Sequence, residues 1–137
     1  MGRNQYLELL KIQKKNFEYL RDKMIKLASK YNETVLDTKS NKISIAITLN
    51  NLSQKVGKEN VSILGSRLFL NNVTGARVYN GSKRVKIGKH EFKGYGAHID
   101  NYPNCYLNVA CSIGMAQSEI DQLIEKIDKK MHELINK

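Results

Sequence analysis

Proline occurs once in this sequence, at Pro103, and cysteine twice, at Cys105 and Cys111. Two cysteines cannot build a disulfide framework, and none is required, because 137 residues are enough to bury a core. The cysteines stand in a C-x5-C spacing, and the nearest histidine, His98, lies seven residues before Cys105. Structural zinc takes four ligands, usually in closely spaced pairs, so a zinc site has no pattern behind it. No apolar run approaches the ~20 residues that span a bilayer. The opening MGRNQYLELLKIQKKN is charged and amphipathic, unlike the apolar stretch of a secretory signal. The expected compartment is therefore the cytoplasm, with both thiols reduced.

Several motifs are missing too. Neither G-x-G-x-x-G nor G-x-x-x-x-G-K-[ST] occurs, so no nucleotide-binding loop is expected. Leu64-Gly65-Ser66-Arg67 is only a fragment of the nucleophile elbow G-x-S-x-G, and it sits inside a helical pattern. His90, His98 and His132 are scattered along the chain. His98 stands two residues before Asp100, a pairing that can orient a base, but no nucleophile accompanies it.

What the chain has in excess is positive charge. Lysine and arginine number 23 against 13 acidic residues, which gives a net charge of +10 and a pI near 9.6. Charge alone leaves two readings open, a polyanion partner such as a nucleic acid or a basic surface that keeps the protein in solution. The most basic stretch runs from Lys83 to Lys93, with Tyr79, Phe92 and Tyr95 interleaved or close by. That combination suits phosphate contact together with base stacking.

Hydrophobic periodicity outlines the elements. Leu10, Phe17, Leu20, Met24, Leu27 and Tyr31 recur at helical steps and predict a helix over about 3–31. Strands are expected within about 33–48, where Ile43, Ile45 and Ile47 alternate with smaller residues. A helix over about 60–70 is expected to face Val61, Leu64, Leu68 and Phe69 inward, with Gly65 marking a close approach. Asn80-Gly81, between Val78 and Val85, predicts a hairpin over about 76–88 with a type I′ turn. A strand over about 105–112 follows, then a helix over about 118–136 opened by a capping box at Ser118–Asp121. The expected fold class is α+β, one domain over 1–137, with helices packed on a small, mostly antiparallel sheet.

Two blocks carry a resemblance. LGSRLFLNNVTGARV at 64–78 and KGYGAHIDNYPNCYLNVACSIGM at 93–115 resemble, in order and spacing, the C-terminal region of the O-phosphoseryl-tRNA(Sec) selenium transferase family. YLELL near the start and KISIAITLN at 42–50 are similar as well, so the resemblance runs from about Gln5 to the last helix. It implies a fold-type I pyridoxal-phosphate enzyme, generally a homotetramer, that converts O-phosphoseryl-tRNA(Sec) to selenocysteinyl-tRNA(Sec) with selenophosphate. The pyridoxal phosphate is held by a lysine of a large domain that precedes the segment matching Tyr6. Nothing in this chain matches that lysine motif. The resemblance thus implies the small C-terminal domain, with no catalytic residue and no cofactor of its own, inactive alone. Its implied partners are tRNA(Sec) and the rest of the tetrameric enzyme.

The same resemblance places two tRNA contacts. The arginine that reads the discriminator base falls at Asn71, and a lysine at the end of the last helix falls at Asn136, beside Lys137. Asparagine can hydrogen-bond a base edge but lacks the charge and fork of arginine. Either Asn72, Arg77 or Arg67 compensates, or the family contact is weaker in this chain. The expected tRNA-binding residues are therefore Asn71, Arg77, Asn136 and Lys137, while Cys105 and Cys111 are expected to serve packing. The residues by themselves also leave open a self-standing basic RNA-binding domain.

Overall fold

The computed structural model of the protein describes residues 2–81, 84–97 and 99–136. A long helix, α1 (Arg3–Lys30), leads into two strands, β1 (Val35–Leu36) and β2 (Ser44–Thr48). Helix α2 (Asn50–Val56) and a 3-10 turn (Lys58–Val61) follow, then α3 (Ser62–Leu70) and β3 (Ala76–Tyr79). Two short strands, β4 (Val85–Ile87) and β5 (His90–Phe92), precede β6 (Tyr106–Ala110), and α4 (Gln117–Ile135) ends the fold. The main sheet has the order β1-β2-β6-β3 and every pairing in it is antiparallel. The class is α+β.

Alternation along the strands divides the sheet into two unlike faces. Ile45 and Ile47 on β2 and Leu107 and Val109 on β6 are buried against the helices. They meet Phe17, Leu20, Met24 and Leu27 of α1, Leu64 and Leu68 of α3, and Ile120, Ile127 and Met131 of α4. Each such side chain contributes about 1.5–3 kcal/mol on burial. The intervening residues, Ser44 and Ala46 on β2 and Tyr106 and Asn108 on β6, turn the other way and are half-buried. At Gly65 helix α3 faces β3, where a Cβ would stand in ordinary contact, 3.4 Å from the Cβ and Cγ2 of Val78. No helix among the described residues is long and apolar enough to cross a membrane.

A buried carboxylate joins four of these elements. Helix α1 ends in a Schellman turn: Asn32 takes a φ of 55, its N–H reaches the Ser29 carbonyl, and the Glu33 N–H reaches the Ala28 carbonyl. Glu33 is thereby pinned with its side chain inside the protein, 5% exposed. Its carboxylate accepts hydrogen bonds from Thr48 Oγ1 at 2.6 Å, from the Asn50 N–H at 3.0 Å and from the Leu52 N–H at 2.9 Å. It thus caps the start of α2 from a distant point in the chain. Asn50 continues the network, accepting from the Cys105 N–H at 3.1 Å and donating to Asn104 at 2.8 Å.

Three local expectations need correction. Val78 does not pair with Val85 across Asn80-Gly81; β3 pairs instead with β6, Val78 opposite Leu107, and Asn80 has no positive φ. Long-range pairing that buries β3 beside the core outweighs the local turn preference. The hairpin forms one turn later, between β4 and β5, with Ile87 opposite His90 and Gly88 (φ 60) in the first loop position, where a type II′ turn takes glycine. The last helix starts at Gln117, not Ser118; its first free N–H, on Ala116, is bonded to the Glu119 carboxylate at 2.7 Å. Phe69 is 66% exposed and faces solvent.

Two predictions follow from the joints between elements. Glu33→Ala leaves two helix N–H groups and a buried hydroxyl without their acceptor, and urea unfolding is expected to show a loss of about 2–4 kcal/mol. The second concerns α1 and α4. Burial alone would raise the Asp128 carboxyl, but the Lys30 ammonium at 2.7 Å and the Tyr31 hydroxyl at 2.5 Å hold it below its usual value. The Lys23 ammonium, 2.8 Å away, and Tyr19 do the same for Asp121. Carboxyls lowered by folding stabilise fully above their unfolded pKa of about 4 and lose that contribution as pH falls through it. Thermal melting points are therefore expected to drop on acidification below about pH 4, less steeply in Asp128→Asn than in the parent.

Candidate nucleic-acid interface

The ends of α3 and α4 form one open concavity, lined by Arg67, Leu70 and Asn71 from the first helix and Lys130, His132, Glu133 and Asn136 from the second. Helix α3 stops in a second Schellman turn. Asn72 adopts a φ of 60, its N–H bonds the Phe69 carbonyl and the Val73 N–H bonds the Leu68 carbonyl, both at 3.0 Å. Val73, buried, seals the turn and leaves Asn71 at the C-cap. The Asn71 Nδ2 donates to the Arg67 carbonyl at 2.8 Å. Asn136 caps α4 in the same way, donating to the His132 carbonyl at 3.0 Å. The Asn136 Nδ2 also meets the His132 ring nitrogens at 3.1 Å, so Asn136 keeps chiefly its acceptor oxygen, while Asn71 keeps an acceptor oxygen and a second N–H.

Two helix C-termini carry partial negative charge, which works against a phosphate. The cations at this surface therefore decide what it can hold. The Lys130 ammonium lies 2.9 Å from Glu133 and holds that carboxyl below its usual value, with smaller help from the charges of Lys129 and Arg67. Lys130 is thus largely compensated. Arg67 feels the same carboxylate only at longer range: it joins none of the described ion pairs, and its Nη1 is buried with no described hydrogen-bond partner. A guanidinium beside two asparagine amides offers charge and hydrogen-bonding groups of both kinds, the chemistry that phosphates and base edges need.

Of the expected tRNA-binding residues, Asn71 and Asn136 come together here. Arg77 does not join them; it projects from the opposite face of the sheet and donates from Nη2 to the Gly96 carbonyl at 3.0 Å. Lys137 lies outside the described residues, as do His98 and Lys83. Asn72 lines a separate groove with Glu119 and Lys126. In the basic arm, Arg84 faces Glu91 at 3.4 Å and the Phe92 and Tyr95 rings meet edge to face at 5.9 Å. Tyr79 is no part of that arm, being buried against Tyr106 with ring centroids 5.1 Å apart. Lys130 and His132 were not among the expected contacts. For His132 the signal was helical spacing, since it stands four before Asn136 on one helix face, as Arg67 does before Asn71; no such step marks Lys130.

Other chemistries find little footing. Cys105 and Cys111 are buried, and burial pushes both thiols up, away from reactive thiolate. Among the described residues no three His, Cys, Asp or Glu side chains cluster as metal ligands. A pyridoxal phosphate needs an enclosed lysine, and no described lysine is buried. The described residues do not fit that cofactor.

These features define a small basic α+β domain with a cation-lined surface where two helices end. A family model described as O-phosphoseryl-tRNA(Sec) selenium transferase, SepSecS, matches residues 1–132, and the chain belongs to that family. It is 39% identical over 143 residues to the O-phosphoseryl-tRNA(Sec) selenium transferase of Dictyostelium discoideum, covering 94% of this chain and 30% of that protein. The corresponding protein of Caenorhabditis briggsae is 35% identical over 127 residues, 92% of this chain and 26% of its own length. The crystal structure of an archaeal O-phosphoseryl-tRNA(Sec) selenium transferase superposes with a TM-score of 0.68 at 25% identity, over 94% of this chain and 26% of that one. The chain thus spans between about a quarter and a third of the length of these relatives.

Proposed function

We propose that this chain is the tRNA-facing C-terminal part of an enzyme that makes selenocysteinyl-tRNA(Sec) from O-phosphoseryl-tRNA(Sec) and selenophosphate. The observation that carries the reading is the meeting of Asn71 and Asn136, 65 positions apart in the chain, at one surface with Arg67, whose guanidinium joins no described ion pair. In this reading Arg67 supplies the phosphate contact, Asn71 and Asn136 the contacts to the end of the acceptor arm, and the net charge of +10 the long-range attraction. The pyridoxal phosphate and the lysine that carries it belong to the rest of the enzyme, so the chain is inactive alone. The first half of α1 leaves Tyr6, Leu7 and Ile12 exposed at 45%, 43% and 48%, an apolar face that suits coverage by the rest of the cytoplasmic homotetramer.

Binding of the chain to selenocysteine tRNA and to an elongator tRNA, titrated at low and moderate salt, tests this. The expected result is a preference for the selenocysteine tRNA. Arg67→Gln is expected to weaken binding to both tRNAs and to reduce the slope of log affinity against log salt by about 1. Asn71→Arg, which restores the forked donor, is expected to tighten binding by about tenfold. Equal, salt-erased affinity for both tRNAs, indifferent to Arg67→Gln, would refute the reading.

A further inference from the structure

The face of the main sheet turned away from the helices carries a second cleft, of about 390 Å³, which falls in the size range of small-ligand sites. Its floor is built by strand alternation. Ala46, Asn108 and Arg77 stand in one row across β2, β6 and β3, and Tyr79 lies opposite Tyr106 in the next. Tyr102 closes one side, its ring edge to face with Tyr106 at 5.4 Å and with Tyr79 at 6.2 Å. Asn41 and Ser44 stand on the other side. The Asn41 side chain ties that edge together, accepting from the Ile43 and Ser44 N–H groups and donating to Ser44 Oγ at 2.9 Å.

Three properties of this cleft point to one kind of ligand. It is cationic: Arg77 lines it, no carboxylate does, and Arg77 pairs with no described acid. It is oriented, because the Arg77–Gly96 bond fixes the guanidinium plane and leaves its remaining N–H groups available. It is aromatic, with the Tyr102 and Tyr106 rings half-buried at its wall. A bare anion has no use for the rings, and an apolar ligand has none for the arginine. A nucleotide uses both, with its phosphate on the guanidinium, its base on a tyrosine face and its base edge on the Asn108 amide. The nucleotide must be unpaired, since a base inside a duplex has no free face to stack.

We propose that this cleft binds one unpaired nucleotide of an RNA. The proposal rests on the reading of the chain as an RNA-facing domain and adds a second contact on the opposite face from Arg67 and Asn71. It gives Arg77 a role separate from the helix-end concavity.

The test titrates the whole chain with a short single-stranded oligoribonucleotide and, separately, with a blunt RNA duplex. The readout is tyrosine fluorescence, which no tryptophan masks because the chain has none. The single strand is expected to quench the signal, and Arg77→Gln and Tyr102→Leu are each expected to weaken its binding about tenfold. Both variants are expected to keep the parent's affinity for the duplex, which also shows that they fold. Three results would overturn the proposal: no binding of the single strand, undiminished binding in both variants, or an equal loss in Arg67→Gln. If Arg67→Gln fails to weaken duplex binding while the two cleft variants lose the single strand, the helix-end reading falls and the cleft stands.

Discussion

The architecture depends on a carboxylate that reaches across the chain. Glu33 accepts from the hydroxyl of Thr48 and from two N–H groups at the start of α2, so one buried side chain fixes the end of α1, the end of β2 and the direction of α2. Asn50 passes the constraint on to the start of β6 through the Cys105 N–H. A buried acid without such partners would destabilise the fold; with three donors it becomes a joint. What looks like a chemical stretch around Cys105 is in part the receiving end of this joint.

Much of the fold was legible because packing repeats at the period of its elements. The apolar repeat of α4 is carried by Ile120, Ile127, Met131 and Leu134, all buried, and that of α1 by Phe17, Leu20, Met24 and Leu27. Short elements were less legible, because their partners are remote in sequence. Asn80-Gly81 is a strong local turn signal, yet the strand before it finds its partner at residues 106–109. Helix α2, seven residues long, has no repeat to announce it and owes its first turn to an acid 17 positions upstream.

The candidate surfaces were legible to an uneven degree. Resemblance marked Asn71 and Asn136, but no local pattern joins positions so far apart; the parallel endings of α3 and α4 do. Arg77 was marked with them, and strand alternation sends it the other way, beside Tyr106 and Asn108. That alternation is visible in YLNV, where polar and apolar residues trade places one by one. The basic arm reads in sequence as one continuous patch with Tyr79, while the fold buries that tyrosine and leaves the arm to β4 and β5.

A Cβ at Gly65 would stand 3.4 Å from Val78, so the helix that carries Arg67 and Asn71 packs against the strand that carries Arg77. The helix-end concavity and the sheet cleft thus draw their arginines from two elements in direct contact. A strand of RNA that touched both would have to pass around the sheet edge at β3.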